Sequence, residues 1–326
     1  MVKKETLLFI GVGFHNFDKF INDDLSNKYD VVYINSKEYI RKHPVKSKLF
    51  TYLGGKWLSK ACEKLIMKQL FAIKQPVTKL FVIKGDYLTN SHLDYISARF
   101  LITEKVLYLW DSWYYHKNIE DIYTRFDKIY SFDSRDCKEK KLILRPLFYF
   151  SSQIRQSTNK TIDIAFVGGD HSDRYLFLRK MKKMSVENGL TYSFHLLVGR
   201  VAFFEYTHRC LFKSKYDEED SEFIKGQSIS YNEYVDIVSN SKVIIDMPAT
   251  GQIGLTMRTI EALSMGARLL TTNTSILEYD DIPKNSYMVL TDNTQTEDII
   301  NFINNTNEKF VLPKRYESSY ALNEMI

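Results

Sequence analysis

Short apolar runs recur along the chain. Each is closed by a glycine or a charged residue, and many lead into stretches where apolar positions return every third or fourth residue. The runs read as strands and the stretches as helices. In the first half, strands are expected at 7–10, 31–34, 79–85, 106–110 and 126–132. Three of them end in polar groups, at Lys84-Gly85-Asp86, Asp111-Ser112 and Asp133. Such endings suit a parallel sheet whose carboxyl edge carries a site. Residues 151–160 are polar and turn-rich, and read as a linker. Beyond them the pattern restarts, with strands at 162–167 and 194–198, a helix from about Ser172, and a capping box at Ser230 and Glu233 opening another helix. The charged stretch 210–227 reads as a solvated loop. A helix is expected at 298–305, after which 310–326 returns to the first domain. The reading is α/β, with domains over 1–152 and 153–310 and a terminal segment over 311–326.

One stretch, 239–273, organises the second half. Val243 to Asp246 is an apolar run ending in a carboxylate, Pro248 to Gly251 break regular structure, a helix is expected over 254–265, and 269–272 makes the next strand. A βαβ unit of this kind presents a helix N-terminus at the strands' carboxyl edge, where unpaired N–H groups and the dipole favour phosphate. Gly254, Arg258 and Glu261 follow at i, i+4 and i+7 and share one face. They offer a backbone gap, a fixed cation and a carboxylate able to accept from two ribose hydroxyls. The plainer alternative is an exposed helix with an i, i+3 ion pair.

Composition narrows the class without choosing a function. In 326 residues, 44% are hydrophobic and 14% aromatic, which is enough for two globular cores. The formal charge of +5 suits a nucleotide sugar, an anionic membrane surface or nucleic acid. Cys62, Cys137 and Cys210 are scattered, so neither a zinc site nor a disulfide framework is expected, and a cytoplasmic setting is. Lys56, Lys60, Lys64 and Lys68 recur every fourth residue with apolar positions between them, so a helix over 56–74 is a candidate for lying on an anionic leaflet, peripheral to the inner face of the plasma membrane. An ordinary solvated basic face is the alternative. No recognition motif accompanies these lysines, so no nucleic acid is expected.

The segment GLTMRTIEALSMGARLLTTN resembles the nucleotide-sugar-binding segment of GT-B glycosyltransferases. The similarity is nearest to the bacterial enzymes that build lipopolysaccharide, capsule and exopolysaccharide. It extends over most of the chain through IGVGF at Gly11 and Gly13, LYLWDSW at Asp111, FDKIYSFDSRD, and DIAFVGGDHSDRYLFL around Gly168 and Arg174. It implies two Rossmann-like domains facing across a cleft, a nucleoside-diphosphate sugar as donor, and a glycan or lipid-linked acceptor. The sequence departs from the commonest retaining members at Ile253, where they carry a second glutamate; Gln252 is the nearest polar residue.

On that resemblance, Gly168, Gly169, Arg174, Gln252, Gly254, Leu255, Thr256, Arg258, Glu261, Thr272 and Asn273 are expected around the donor. Gly11 and Gly13 are expected at the acceptor edge. His15, Asp86 and Asp111 are candidates for the base of an inverting transfer, with Trp110, Trp113 and Tyr114 beside them. No Asp-x-Asp triplet occurs, so no metal is expected, nor any cofactor beyond the donor. A non-catalytic nucleotide or sugar binder on the same fold is the second reading.

Overall fold

Continuous apolar runs become strands here because both faces of each sheet are covered. The computed structural model describes residues 4–13, 17–116, 119–171, 173–208, 210–211, 213–249, 251–305 and 309–326. The chain divides into two units, 1–147 with 317–326, and 148–316.

The first unit holds β1 (Thr6–Gly11), β2 (Asp30–Asn35), β3 (Lys79–Ile83), β4 (Glu104–Leu109), β5 (Lys128–Ser131) and β6 (Ile143–Leu144). All pair in parallel, in the order β2-β1-β3-β4-β5-β6. Leu8, Ile10, Leu80, Val82, Leu107 and Leu109 form one core face with Ile66, Leu70, Leu93 and Ile96 of the helices Lys56–Phe71 and Asn90–Arg99. The helix Ser318–Met325 completes this unit. The Tyr29 hydroxyl and Lys79 Nζ each donate to the carbonyl of Ile326 at 2.9 Å, and Arg145 pairs with Glu324.

The second unit holds β7 (Ile162–Gly169), β8 (Tyr192–Leu197), β9 (Ile224–Lys225), β10 (Ser241–Asp246), β11 (Arg268–Thr271) and β12 (Tyr287–Val289). They too are parallel, in the order β12-β11-β10-β7-β8-β9. Alternate residues feed two cores. Ile164, Phe166, Val243 and Ile245 pack with Tyr175, Leu178 and Met181, whereas Ala165, Ile244 and Leu269 pack with Ile260, Leu263 and Val238.

Three expectations need correcting. The 151–160 stretch does not hang free but is fixed to the second unit. Gln156 donates to the Ser264 carbonyl at 2.9 Å, Arg155 pairs with Asp236 at 2.5 Å, and half-buried Lys160 donates to the carbonyls of Ser239 and Ser241. The division falls at 147/148, a few residues before the expected 152/153. The 210–227 stretch is not a solvated loop throughout: Tyr216, Asp220 and Phe223 are buried, and Arg179 pairs with both Asp217 and Asp220. The helix Lys56–Phe71 turns Leu58, Cys62, Ile66 and Leu70 inward, so its apolar side is spent on the core while its lysines face solvent. Among the described residues no helix is long and apolar enough to cross a membrane.

Candidate active site

In each sheet the strand order reverses once. The reversal lies between β1 and β3 in the first unit and between β7 and β10 in the second. At such a point the connecting helices leave in opposite directions and open a crevice beyond the strands' carboxyl ends, where ligands of open parallel sheets bind.

In the second unit this crevice is bridged by two arginines. Arg258 is the second residue of the helix Met257–Ser264, which Thr256 caps by accepting from the Thr259 N–H at 3.2 Å. Arg258 Nε donates to the Val167 carbonyl of β7 at 3.0 Å, and its Nη1 reaches Asp246 Oδ1 at the end of β10 at 3.2 Å. The guanidinium lies 5.2 Å over the Phe166 ring. Gly168 is required by this path, because a Cβ there would stand 2.6 Å from Arg258 Nη2. Asp246 is wholly buried and accepts from the hydroxyls of Thr256, Thr259 and Thr271 at 3.2, 2.7 and 3.4 Å. Its fixed charge sets the angle of the arginine.

Arg174 starts the helix Arg174–Glu187 and lies 5.7 Å from the same Phe166 ring. It donates to the carbonyls of Gly169, at 2.6 Å, and Met247. It is thus a clamp between the ends of β7 and β10. Burial, with the neighbouring charge of Arg258, pushes its guanidinium down to about 10, still cationic at neutral pH. Two cations therefore stand together at this edge, Arg258 paired with Asp246 and Arg174 held on backbone carbonyls within the fields of Asp246 and Asp170.

Glu261 goes elsewhere. It is 3% exposed, it accepts from the Tyr231 hydroxyl at 2.7 Å, and no ion pair joins it to Arg258 among the described residues. Burial pushes its carboxyl up to about 7, against the opposing pull of Tyr231, Tyr234 and Arg258. Gly254 and Leu255 are buried in the turn before the helix rather than on its face. Asn273 donates to the carbonyls of Ile253 and Gly254 at 3.1 and 3.3 Å and caps Ser275, so it braces that turn. Gln252 is half-buried in the same loop, and Thr272 is exposed with its N–H on the Asp246 carbonyl at 3.2 Å.

The first unit brings different groups to its reversal point. Gly11 and Gly13 wrap round Asp18: the Gly13 N–H donates to Asp18 Oδ2 at 2.7 Å, and a Cβ on Gly11 would meet that oxygen at 2.1 Å. The close approach these glycines permit is to their own chain. Beyond β3 the backbone is unusual, with φ of 65°, 72° and 62° at Lys84, Gly85 and Tyr87. Left-handed geometry at a lysine and a tyrosine costs about 1 kcal/mol or more each. The turn aims Lys84 and Asp86 into a cavity of about 640 Å³, also lined by Lys56, Lys60, Glu63 and His116. Asp86 pairs with Lys37 at 2.6 Å. Burial pushes the Asp86 carboxyl up, but Lys37, Lys84 and His116 outweigh it and hold it below the usual range. Asp111 does not line the cavity; it pairs with Lys84. His15 lies outside the described residues. Trp110 and Trp113 are buried against Phe17, Tyr108 and Tyr123, so they offer no face to a sugar, whereas Tyr114 is exposed.

His116 belongs to this group too, although it is not among the base candidates read from the sequence. Its Nε2 donates to the Asp111 carbonyl at 3.0 Å, which leaves Nδ1 as an acceptor 4.0 Å from Asp86 Oδ1. Burial lowers its pKa, opposed by Asp86 and Asp111. Asp111 lies five residues before it on the same strand end, but Asp86 comes from the end of β3, an approach that no local pattern marks. Asp246, Phe166 and Tyr231 were likewise not assigned to the site.

No family model matches the sequence, and no curated protein sequence matches it significantly. Among solved structures, sucrose-phosphate synthase from Thermosynechococcus elongatus is similar at a TM-score of 0.51 and 9% identity, over 99% of this chain and 95% of that one. An alpha-glucosyltransferase solved with UDP and DNA gives 0.51 and 12%, over 98% and 95%. UDP-N-acetylglucosamine 2-epimerase from Rickettsia bellii gives 0.50 and 9%, over 99% and 94%. The likeness establishes the fold: α/β, two Rossmann-like units, GT-B.

Proposed function

We propose that the chain is a glycosyltransferase that moves a sugar from a nucleoside-diphosphate sugar to a growing surface glycan or lipid-linked acceptor in bacterial polysaccharide assembly, on the cytoplasmic side. The observation that carries this reading is Arg258 spanning the β7–β10 reversal point between Val167 and Asp246. A diphosphate laid over Gly168 and Gly169 meets backbone and a guanidinium already oriented by Asp246. That is preorganised stabilisation of a leaving group, and it lets cations of the chain take the part of a divalent metal. Glu261, released from Tyr231, is the acceptor for the ribose hydroxyls.

For transfer with inversion, the acceptor hydroxyl oxygen attacks the anomeric carbon. The bond to the diphosphate oxygen breaks, its electron pair leaves with the nucleotide, and the hydroxyl proton passes to a base. Asp86 and His116, both lining the first-unit cavity, fit that part better than Asp111.

Because an epimerase shares this fold, the test must read products. The protein is titrated with UDP, GDP, CMP and dTDP sugars by calorimetry, and the products of the best ligand are then analysed. Binding, donor hydrolysis and weaker binding in Glu261→Ala are expected. Failure to bind any nucleotide sugar sinks the proposal. Conversion of the sugar to an epimer makes the protein an epimerase, and binding without turnover makes it a binder.

A further inference from the structure

The helix Pro44–Tyr52 is built unlike the others of the first unit. Ser47 is its buried residue, and its large apolar side chains face outward: Val45 is 80% exposed, Leu49 55% and Tyr52 92%. Leu53, at 60%, and Trp57, at 64%, continue the patch across the Gly54-Gly55 turn. Val45, Leu49, Tyr52 and Leu53 recur at i, i+4, i+7 and i+8, which gathers them within about 100° of arc. Lys46 and Lys48, both exposed, flank that arc on opposite sides, and exposed Lys56 and Lys60 follow beyond the turn.

Charge selects what this surface meets. Residues 43–62 contain Lys46, Lys48, Lys56 and Lys60 and no aspartate or glutamate, whereas Arg41 and Lys42 just before them pair with Glu38. An apolar stripe on a convex helix, bordered by lysines long enough to reach outward, matches a layer that is hydrocarbon below and negative above. Nucleic acid fits less well, since valine and leucine side chains offer its bases no hydrogen bonds. We infer that the Pro44–Trp57 tip seats the first unit on a bilayer rich in anionic phospholipid, with Leu49, Leu53 and Trp57 entering the interface and the lysines meeting headgroup phosphates. The surface is thus the helix before Lys56–Phe71 and the turn between them, not the apolar side of Lys56–Phe71 itself. The inference rests on exposure and charge, independently of the donor reading.

The full chain is sedimented with vesicles of phosphatidylcholine containing phosphatidylglycerol, and with phosphatidylcholine alone. Trp110 and Trp113 are 8% and 9% exposed, so Trp57 is the fluorophore able to report insertion. Binding confined to the anionic vesicles, a blue shift of emission, and release by salt are expected. Leu49→Ser/Leu53→Ser/Trp57→Ser and Lys46→Gln/Lys48→Gln/Lys56→Gln should each weaken partitioning about tenfold or more. Lys64→Gln/Lys68→Gln should change it little. Circular dichroism and nucleotide binding check that each variant folds, and nucleotide binding reads the donor site separately. Absent or charge-independent partitioning, or unchanged partitioning in the serine variant, overturns the inference. So does a dimer that the serine variant abolishes, because the patch would then belong to a second copy.

Discussion

Arg258 Nη1 lies 3.2 Å from Asp246 Oδ1 across the reversal point of the second sheet, and Asp246 has no exposure to solvent. A buried carboxylate with three hydroxyl donors and one guanidinium is satisfied only as a set. Asp246→Ala removes the shared acceptor and strands the cation, which typically costs about 3–5 kcal/mol. Denaturant titration of the variant should show that loss. Asp246→Asn, which keeps the shape and half of the acceptors, should lose less.

Gly168→Ala separates function from stability. The added methyl meets the end of a long side chain, Arg258 Nη2 at 2.6 Å, before it meets anything rigid, although Phe166 Cζ follows at 3.0 Å. The arginine can swing aside, so unfolding should change by about 1–2 kcal/mol. Donor binding, which depends on the guanidinium staying put, should weaken about tenfold or more by calorimetry. Equal losses in both measurements would argue that Gly168 serves packing alone.

Glu261 supplies a pH test whose sign is fixed. Folding raises this carboxyl from 4.5 to about 7. Between those values the native state holds a proton that the unfolded chain has released, so native stability falls as pH rises through the window and levels off above it. The full penalty is about 3 kcal/mol. Glu261→Gln removes the titration. Its stability relative to the parent should therefore rise between pH 5 and pH 8 by up to that amount, read by denaturant midpoints. A constant difference across the range would show that the carboxyl is not held this way.

Asp86 and His116 can be separated by the position of one proton. Asp86 pulls the His116 pKa up against burial, so Asp86→Asn should lower it further, as followed by NMR titration of the imidazole. If either group is the base, its removal should cut transfer about a hundredfold or more while leaving donor binding intact. Loss of donor binding in Asp86→Asn would move the group out of that part.

The sheets were legible in the sequence because their strands are buried on both faces. Ile164 and Phe166 supply one core and Ala165 the other, so the run cannot alternate in polarity and stands out as continuous. The helix Met257–Ser264 was legible through Gly266, at φ 70°, beyond its end, whereas its start, expected at 254, comes later at the Thr256 cap. Strands β6, β9 and β12 were not, since two or three residues carry no period. Arg258 and Glu261 were picked out, but their partners were not. Val167 and Tyr231 lie 91 and 30 residues away from them, a distance bridged by tertiary packing. Trp110 and Trp113 misled because an aromatic beside a carboxylate has the same local sequence whether it lines a pocket or fills a core. The outward face of Pro44–Tyr52 was hidden by the lysine count around it.

The helix Ser318–Met325 belongs to the unit that begins the chain. Its fastenings to Tyr29, Lys79 and Arg145 join residues 297, 247 and 179 positions apart. During synthesis, the half made second can therefore close its sheet and both its cores while the half made first still lacks a wall. The earlier portion has to wait, with part of its apolar surface uncovered, until residues 317–326 have been made.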